Sequence, residues 1–195
     1  MRVALFGGSF NPPHVGHQLL ALYVLETSGV DELWFVPAYQ HPFNKPLEAF
    51  EDRFRMCERA AEALGPRARV SDVEARLGGP SRTLRTVERL LEEHEGTAFS
   101  LVIGSDLVAE TASWHGVAEL RRLAPFLVVD RGGHPREPAA NPAAAVGDFV
   151  VDMPAVSSTA IRARLRAGRS VAGVLPKRVL DYIAERRLYG GTTPP

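Results

Sequence analysis

Cysteine is almost missing from this sequence: Cys57 stands alone among 195 residues. A lone thiol excludes an internal disulfide and fits a reducing compartment, so the expected location is cytoplasmic. Cys57 falls inside the helical pattern Phe54–Leu64 with no activating group near it in sequence. That placement reads as a buried structural thiol and not a nucleophile. An excess of either charge is also missing, because 23 Lys and Arg balance 23 Asp and Glu. Neutrality argues against a general nucleic-acid or membrane-surface binder. No apolar run approaches bilayer-spanning length, so no membrane partner is expected. The chain starts on a strand-like run, not on the basic segment and apolar core of a signal peptide. Two common phosphate fingerprints are absent as well: there is no G-x-G-x-x-G, and no glycine loop ends in Gly-Lys-Ser/Thr.

What is present is an ordinary globular balance, 45% hydrophobic and 24% charged, in a chain long enough to bury a core without staples. Strand-like and helix-like segments alternate. Arg2–Phe6, Glu32–Pro37, Arg69–Val73, Phe99–Ile103, Phe126–Val129 and Phe149–Met153 read as strands, the third of them weak. Gly16–Thr27, Ala49–Leu64, Ser81–His94, Ser158–Arg166 and Pro176–Arg186 read as helices, with apolar residues at three- and four-residue spacing. Repeated β-then-α order predicts an α/β fold: a Rossmann-like, mainly parallel sheet with helices on both faces. One domain over residues 1–190 with a C-terminal tail at 191–195 is the economical division. Ligands then bind at the carboxyl ends of the strands, where strand order reverses. The Pro-, Ala- and Gly-rich stretch Gly132–Gly147 reads as a surface loop. Charge is uneven, with basic residues in excess from Arg162 to Arg187. That run is either a solvated helical face or a local attraction for a polyanion.

Two constellations carry chemistry. The first is Gly7-Gly8-Ser9-Phe10-Asn11-Pro12-Pro13-His14-Val15-Gly16-His17, a strand end, a glycine loop and two histidines at a helix start. Free N–H groups and the helix dipole make such a junction an anion site. The imidazoles can serve as zinc ligands, as caps, or as hydrogen-bond donors to phosphate oxygens during phosphoryl or nucleotidyl transfer. Zinc needs further ligands, and no His-Glu-x-x-His occurs. The second constellation is Ser157-Ser158-Thr159-Ala160-Ile161-Arg162. Ser158 or Thr159 is expected to be the N-cap, and the hydroxyls with the guanidinium can form a second phosphate cradle. Two cradles in one chain point to a triphosphate held along its length.

These residues resemble the two signature motifs of the nucleotidyltransferase superfamily. Val102-Ile103-Gly104-Ser105-Asp106, Trp114 and Arg131-Gly132-Gly133 narrow the resemblance to the bacterial nicotinate mononucleotide adenylyltransferases, and it runs from Val3 to about Tyr189. That family joins ATP to a pyridine mononucleotide and releases pyrophosphate. The resemblance implies that His14, His17 and Arg162 are catalytic. It implies that Gly8, Ser9, Phe10, His14, Gly16, His17, Gly104, Asp106, Ser158, Thr159 and Arg162 bind ATP. It also implies that Lys45, Thr83, Trp114 and Arg131 bind the mononucleotide. Mg²⁺ is implied as the cofactor, held through the ATP phosphates without protein ligands. ATP and nicotinate mononucleotide are the implied partners, no nucleic acid is, and a homo-oligomer is left open. The chain departs from the commoner family form at Asn11, Arg82 and His115. Open alternatives are a sibling adenylyltransferase acting on nicotinamide mononucleotide or phosphopantetheine, a silent nucleotide sensor, and a His-ligated metal hydrolase.

Overall fold

The computed structural model describes residues 1–40, 46–129 and 156–190. Among the described residues five strands form one parallel sheet: β1 (Arg2–Gly8), β2 (Glu32–Pro37), β3 (Ala68–Val70), β4 (Ala98–Gly104) and β5 (Phe126–Val129), in the order β3-β2-β1-β4-β5. β1 lies at the centre, and four residues in a row, Val3 to Phe6, are buried. A strand covered on both faces needs such a continuous apolar run, not an alternating one. Its side chains divide between two cores. Ala4 and Phe6 join Leu20, Ala21 and Val24 of α1 (Val15–Thr27) and Cys57 and Ala61 of α2 (Phe50–Ala61). Val3 and Leu5 join the other face, with Val73 of α3 (Val73–Leu77), Val87 and Leu90 of α4 (Thr83–Glu93) and Leu120 of α5 (Val117–Leu123). Cys57 is fully buried and burial pushes its thiol up, as expected of a structural cysteine.

Helices therefore cover both faces, and a further layer lies outside them. α6 (Ser158–Arg166) and α7 (Lys177–Arg186) pack on the outer side of α2, where Met56 and Ala60 meet Ile161, Leu165, Val179 and Ile183. α2 is thus buried on two sides, and α6 is carried to the carboxyl end of the sheet.

Two sequence expectations need correction, and one stretch had none. The weak strand ends at Val70, and Val73 opens the short helix α3 in place of extending it. α5 and the 3-10 turns Ser105–Leu107 and Ala109–Ser113 were not anticipated. The N-cap of α6 is Ser157, whose Oγ accepts the N–H of Ala160 at 3.2 Å, and not Ser158 or Thr159. The expected strand Phe149–Met153, the loop Gly132–Gly147 and the tail 191–195 lie outside the described residues. Among the described residues, no helix is long and apolar enough to cross a membrane.

Candidate active site

The sheet reverses its order at β1, so the crevice opens between the carboxyl ends of β1 and its neighbour β4. The loop Ser9–His14 leaves β1 at this point. Gly8 precedes it because a Cβ there would sit 2.9 Å from Cζ of Phe10. That ring is core: Phe10 is 2% exposed and packs edge-on against Phe6 at 5.4 Å and Phe35 at 5.5 Å. Phe10, expected among the ATP-binding residues, thus has a buried side chain and offers a ligand its main chain alone.

His14 caps α1 and is buried, while His17 is half-buried. The two imidazoles stack at 3.7 Å with 28° between their planes. Gly16 makes room for this stack, since a Cβ there would lie 3.1 Å from Nδ1 of His14. Nδ1 of His17 accepts the main-chain N–H of His14 at 3.0 Å. A ring nitrogen that accepts carries no proton, so the neutral ring of His17 holds its hydrogen on Nε2 and presents a donor. Among the described residues no group of three or more His, Cys, Asp or Glu could hold a metal ion.

The second motif docks on the first. Ser158 Oγ donates to the Pro12 carbonyl at 2.9 Å, and Nη1 of Arg162 donates to the Asn11 carbonyl at 2.7 Å. Nη2 of Arg162 donates to Oγ1 of Thr159 at 3.3 Å. A serine has one O–H, so Ser158 can offer an anion only its main-chain N–H, whereas Thr159 keeps its hydroxyl hydrogen and Arg162 has donors beyond these two bonds. At the start of α1, the Val15 N–H is taken by the carbonyl of Val174 at 3.1 Å. The anion character of this junction rests less on that amide than the sequence implied.

Gly104 ends β4, and Asp106 lies half-buried in the turn beyond it. Thr83 opens α4, and the chain before it is joined to the loop after β2. There Tyr39 N–H donates to Ser81 Oγ at 2.9 Å and Ser81 N–H to the Gln40 carbonyl at 3.0 Å. Trp114 is half-buried against the core shared by α4 and α5, with its ring 6.4 Å from that of Phe126. The segment after it touches the α4 start, because a Cβ on Gly116 would fall 2.5 Å from Leu84. Arg82 and His115 are exposed beside these two elements. Lys45 and Arg131 lie outside the described residues.

Two buried groups escaped the sequence reading. Tyr189 donates its hydroxyl to Oδ1 of Asn11 at 2.8 Å, and burial pushes its phenol well above the ordinary range, so it stays a donor. Arg53 is 1% exposed and reaches the Ser9 carbonyl at 3.0 Å. Its one sequence signal was its place on the apolar stripe of α2, three residues after Phe50.

The loop at the switch point is pinned by the start of a helix some 150 residues later in the chain, and together with the chain's similarity to known proteins it defines a nucleotidyltransferase of the Rossmann-like class. The chain is a member of the cytidylyltransferase-like family, whose profile matches residues 5–164. It is 47% identical over 192 residues to a protein of Anaeromyxobacter dehalogenans named "Probable nicotinate-nucleotide adenylyltransferase", covering 97% of each chain. A relative of the same name in Myxococcus xanthus is 37% identical over 190 residues, covering 97% of this chain and 95% of that one. The fold matches that of the Plasmodium falciparum nicotinic acid mononucleotide adenylyltransferase complexed with NaAD, with a TM-score of 0.81 over 98% of both chains at 20% identity.

Proposed function

We propose that the protein transfers the AMP moiety of ATP to nicotinate mononucleotide, forming deamido-NAD and pyrophosphate in NAD biosynthesis in the cytoplasm. The observation that carries this reading is the docking of Ser158 and Arg162 on the carbonyls of Pro12 and Asn11, at 2.9 and 2.7 Å. It sets the two motifs side by side at one end of the sheet, which supports their reading as two phosphate cradles, in a chain whose relatives bear the name of this activity.

In the reaction an oxygen of the mononucleotide's 5′-phosphate attacks the α-phosphorus of ATP. The new P–O bond forms as the bond to the β-phosphate oxygen breaks, and the electron pair leaves with pyrophosphate. A phosphate monoester is largely dianionic at pH 7, so no general base is needed. Catalysis is then alignment and charge stabilisation, and alignment alone can contribute about 7–11 kcal/mol. His17 donates from Nε2 to the α-phosphate as its charge develops, and His14 holds that ring by stacking and through its main-chain N–H. Thr159, Arg162 and the α6 amides hold the β- and γ-phosphates, and Gly8, Ser9 and Gly16 let the main chain approach the nucleotide. Gly104 and Asp106 hold the adenosine ribose. Thr83 and Trp114 receive the pyridine, whose carboxylate suits the cation of Arg82, with Lys45 and Arg131 as further contacts. Mg²⁺ would be held by the triphosphate and water, where it would neutralise phosphate charge.

Purified protein with Mg²⁺, ATP and nicotinate mononucleotide is expected to release pyrophosphate and form the dinucleotide. If neither nicotinate nor nicotinamide mononucleotide supports release at high enzyme concentration, the proposal is wrong.

A further inference from the structure

Arg53 is a buried cation that, among the described residues, meets carbonyls in place of a carboxylate. Nε donates to the Glu48 carbonyl at 2.9 Å, Nη1 to Ser9 at 3.0 Å and Nη2 to Tyr39 at 3.1 Å. The guanidinium also lies 5.6 Å from the centre of the Phe50 ring. Burying a charge carries a large desolvation cost unless its hydrogen-bonding capacity is met. A planar fork with five donors can meet three acceptors in three directions, which the single nitrogen of lysine cannot do as well.

The three carbonyls belong to three separate segments. Ser9 lies in the loop after β1, on the ATP side of the site. Tyr39 and Glu48 stand on either side of residues 41–45 in sequence, the stretch that contains Lys45. Tyr39 and Gln40 are in turn bonded to Ser81, two residues before Thr83. A continuous run of hydrogen bonds therefore leads from Ser9 through Arg53 to the segments assigned to the mononucleotide. We propose that Arg53 is a positioning residue that holds the ATP loop in one register with Tyr39, Glu48 and, through Tyr39 and Gln40, Ser81, so that attacking phosphate and α-phosphorus meet at reacting distance. The proposal rests on the function proposed above. Its chemical reason is that in-line transfer between two bound substrates tolerates little relative displacement, and about 1 Å can cost about a hundredfold in rate.

The test compares Arg53→Lys and Arg53→Gln with the unaltered protein. Turnover by the unaltered protein tests the reaction itself, so a failure there is distinguishable from a failure of the role of Arg53. Arg53→Lys is expected to lower kcat and raise KM for nicotinate mononucleotide, so that kcat/KM falls about 10- to 100-fold. Affinity for α,β-methylene-ATP alone, measured by calorimetry, should change less than about threefold, because Ser9 is one contact among many. Arg53→Gln should lose more than Arg53→Lys. A loss confined to melting temperature, or confined to binding of the ATP analogue, would overturn the proposal. If neither variant folds, hydrogen exchange on the unaltered protein decides. Saturation with α,β-methylene-ATP alone should slow exchange at the amides of Tyr39 and Gln40, and unchanged exchange there overturns it.

Discussion

The proton of His17 is placed by the main chain. Because its Nδ1 accepts the His14 N–H at 3.0 Å, the hydrogen of the neutral ring sits on Nε2. Replacing His17 with alanine removes one donor from the developing charge. The expected outcome is a kcat lower by about 10²–10³ with little change in ATP affinity, measured by steady-state kinetics and calorimetry. Near-normal turnover would remove His17 from this role. Gly8 makes a different claim, about space. A methyl group there would stand 2.9 Å from a Phe10 ring that is 2% exposed and held between Phe6 and Phe35. Gly8→Ala is expected to lower stability by about 1–3 kcal/mol, as overpacking does, read from chemical denaturation. At this scale the histidines, the serines and Arg162 were legible because polar residues cluster there at a helix start. Arg53 and Tyr189 were not. Their acceptors lie up to 44 and 178 residues away in the chain, and only the folded topology brings them near.

Between elements, the α3–α4 pair is held by a carboxylate. Glu93 in the last turn of α4 accepts Nη2 of Arg76 at 2.9 Å and Nε of Arg89 at 2.7 Å, and Nη1 of Arg76 also donates to it. The Arg76 hydrogen bonds chiefly hold its carboxyl down at about 2, against an ordinary 4.5. A depressed acid contributes stability that is present above its unfolded value and lost as pH falls through the folded one. Melting curves of the parent and Glu93→Gln should therefore differ at pH 7 and converge as pH falls from about 4.5 to about 2. A difference that does not change across that window would contradict the assignment. The described strands were legible because four of the five are apolar runs, while β3 has only three residues and is followed two residues later by a helix. α5 was not legible, because seven residues carry too little periodicity. The cap of α6 was misread because three adjacent hydroxyls look alike in sequence. Docking selects among them: Pro12 takes the hydroxyl of Ser158 and leaves Ser157 to cap.

Across the whole molecule, the first and last parts of the chain close on each other. β1 supplies the loop, α6 pins it, and Tyr189 near the end donates to Asn11 within it. Tyr189→Phe leaves Oδ1 of Asn11 with the Glu48 N–H at 3.4 Å. The expected cost is about 1–2 kcal/mol of stability, seen by denaturation, together with a lower kcat because the loop loses a tether. Unchanged stability and turnover would contradict that role. The parallel sheet covered on both faces followed from alternating strands and helices, whereas its strand order was not predicted and comes from the structure. The outer layer of α6 and α7 did not follow, because nothing in their apolar stripes says whether they cover a sheet or another helix. The central claim is transfer of AMP to a pyridine mononucleotide bearing a carboxylate. Its most direct test is a side-by-side rate measurement with nicotinate and nicotinamide mononucleotides at saturating ATP and Mg²⁺, with both products identified. The account predicts pyrophosphate release and dinucleotide formation with the acid at the higher kcat/KM. Equal or better use of the amide, or no dinucleotide from either, would contradict it.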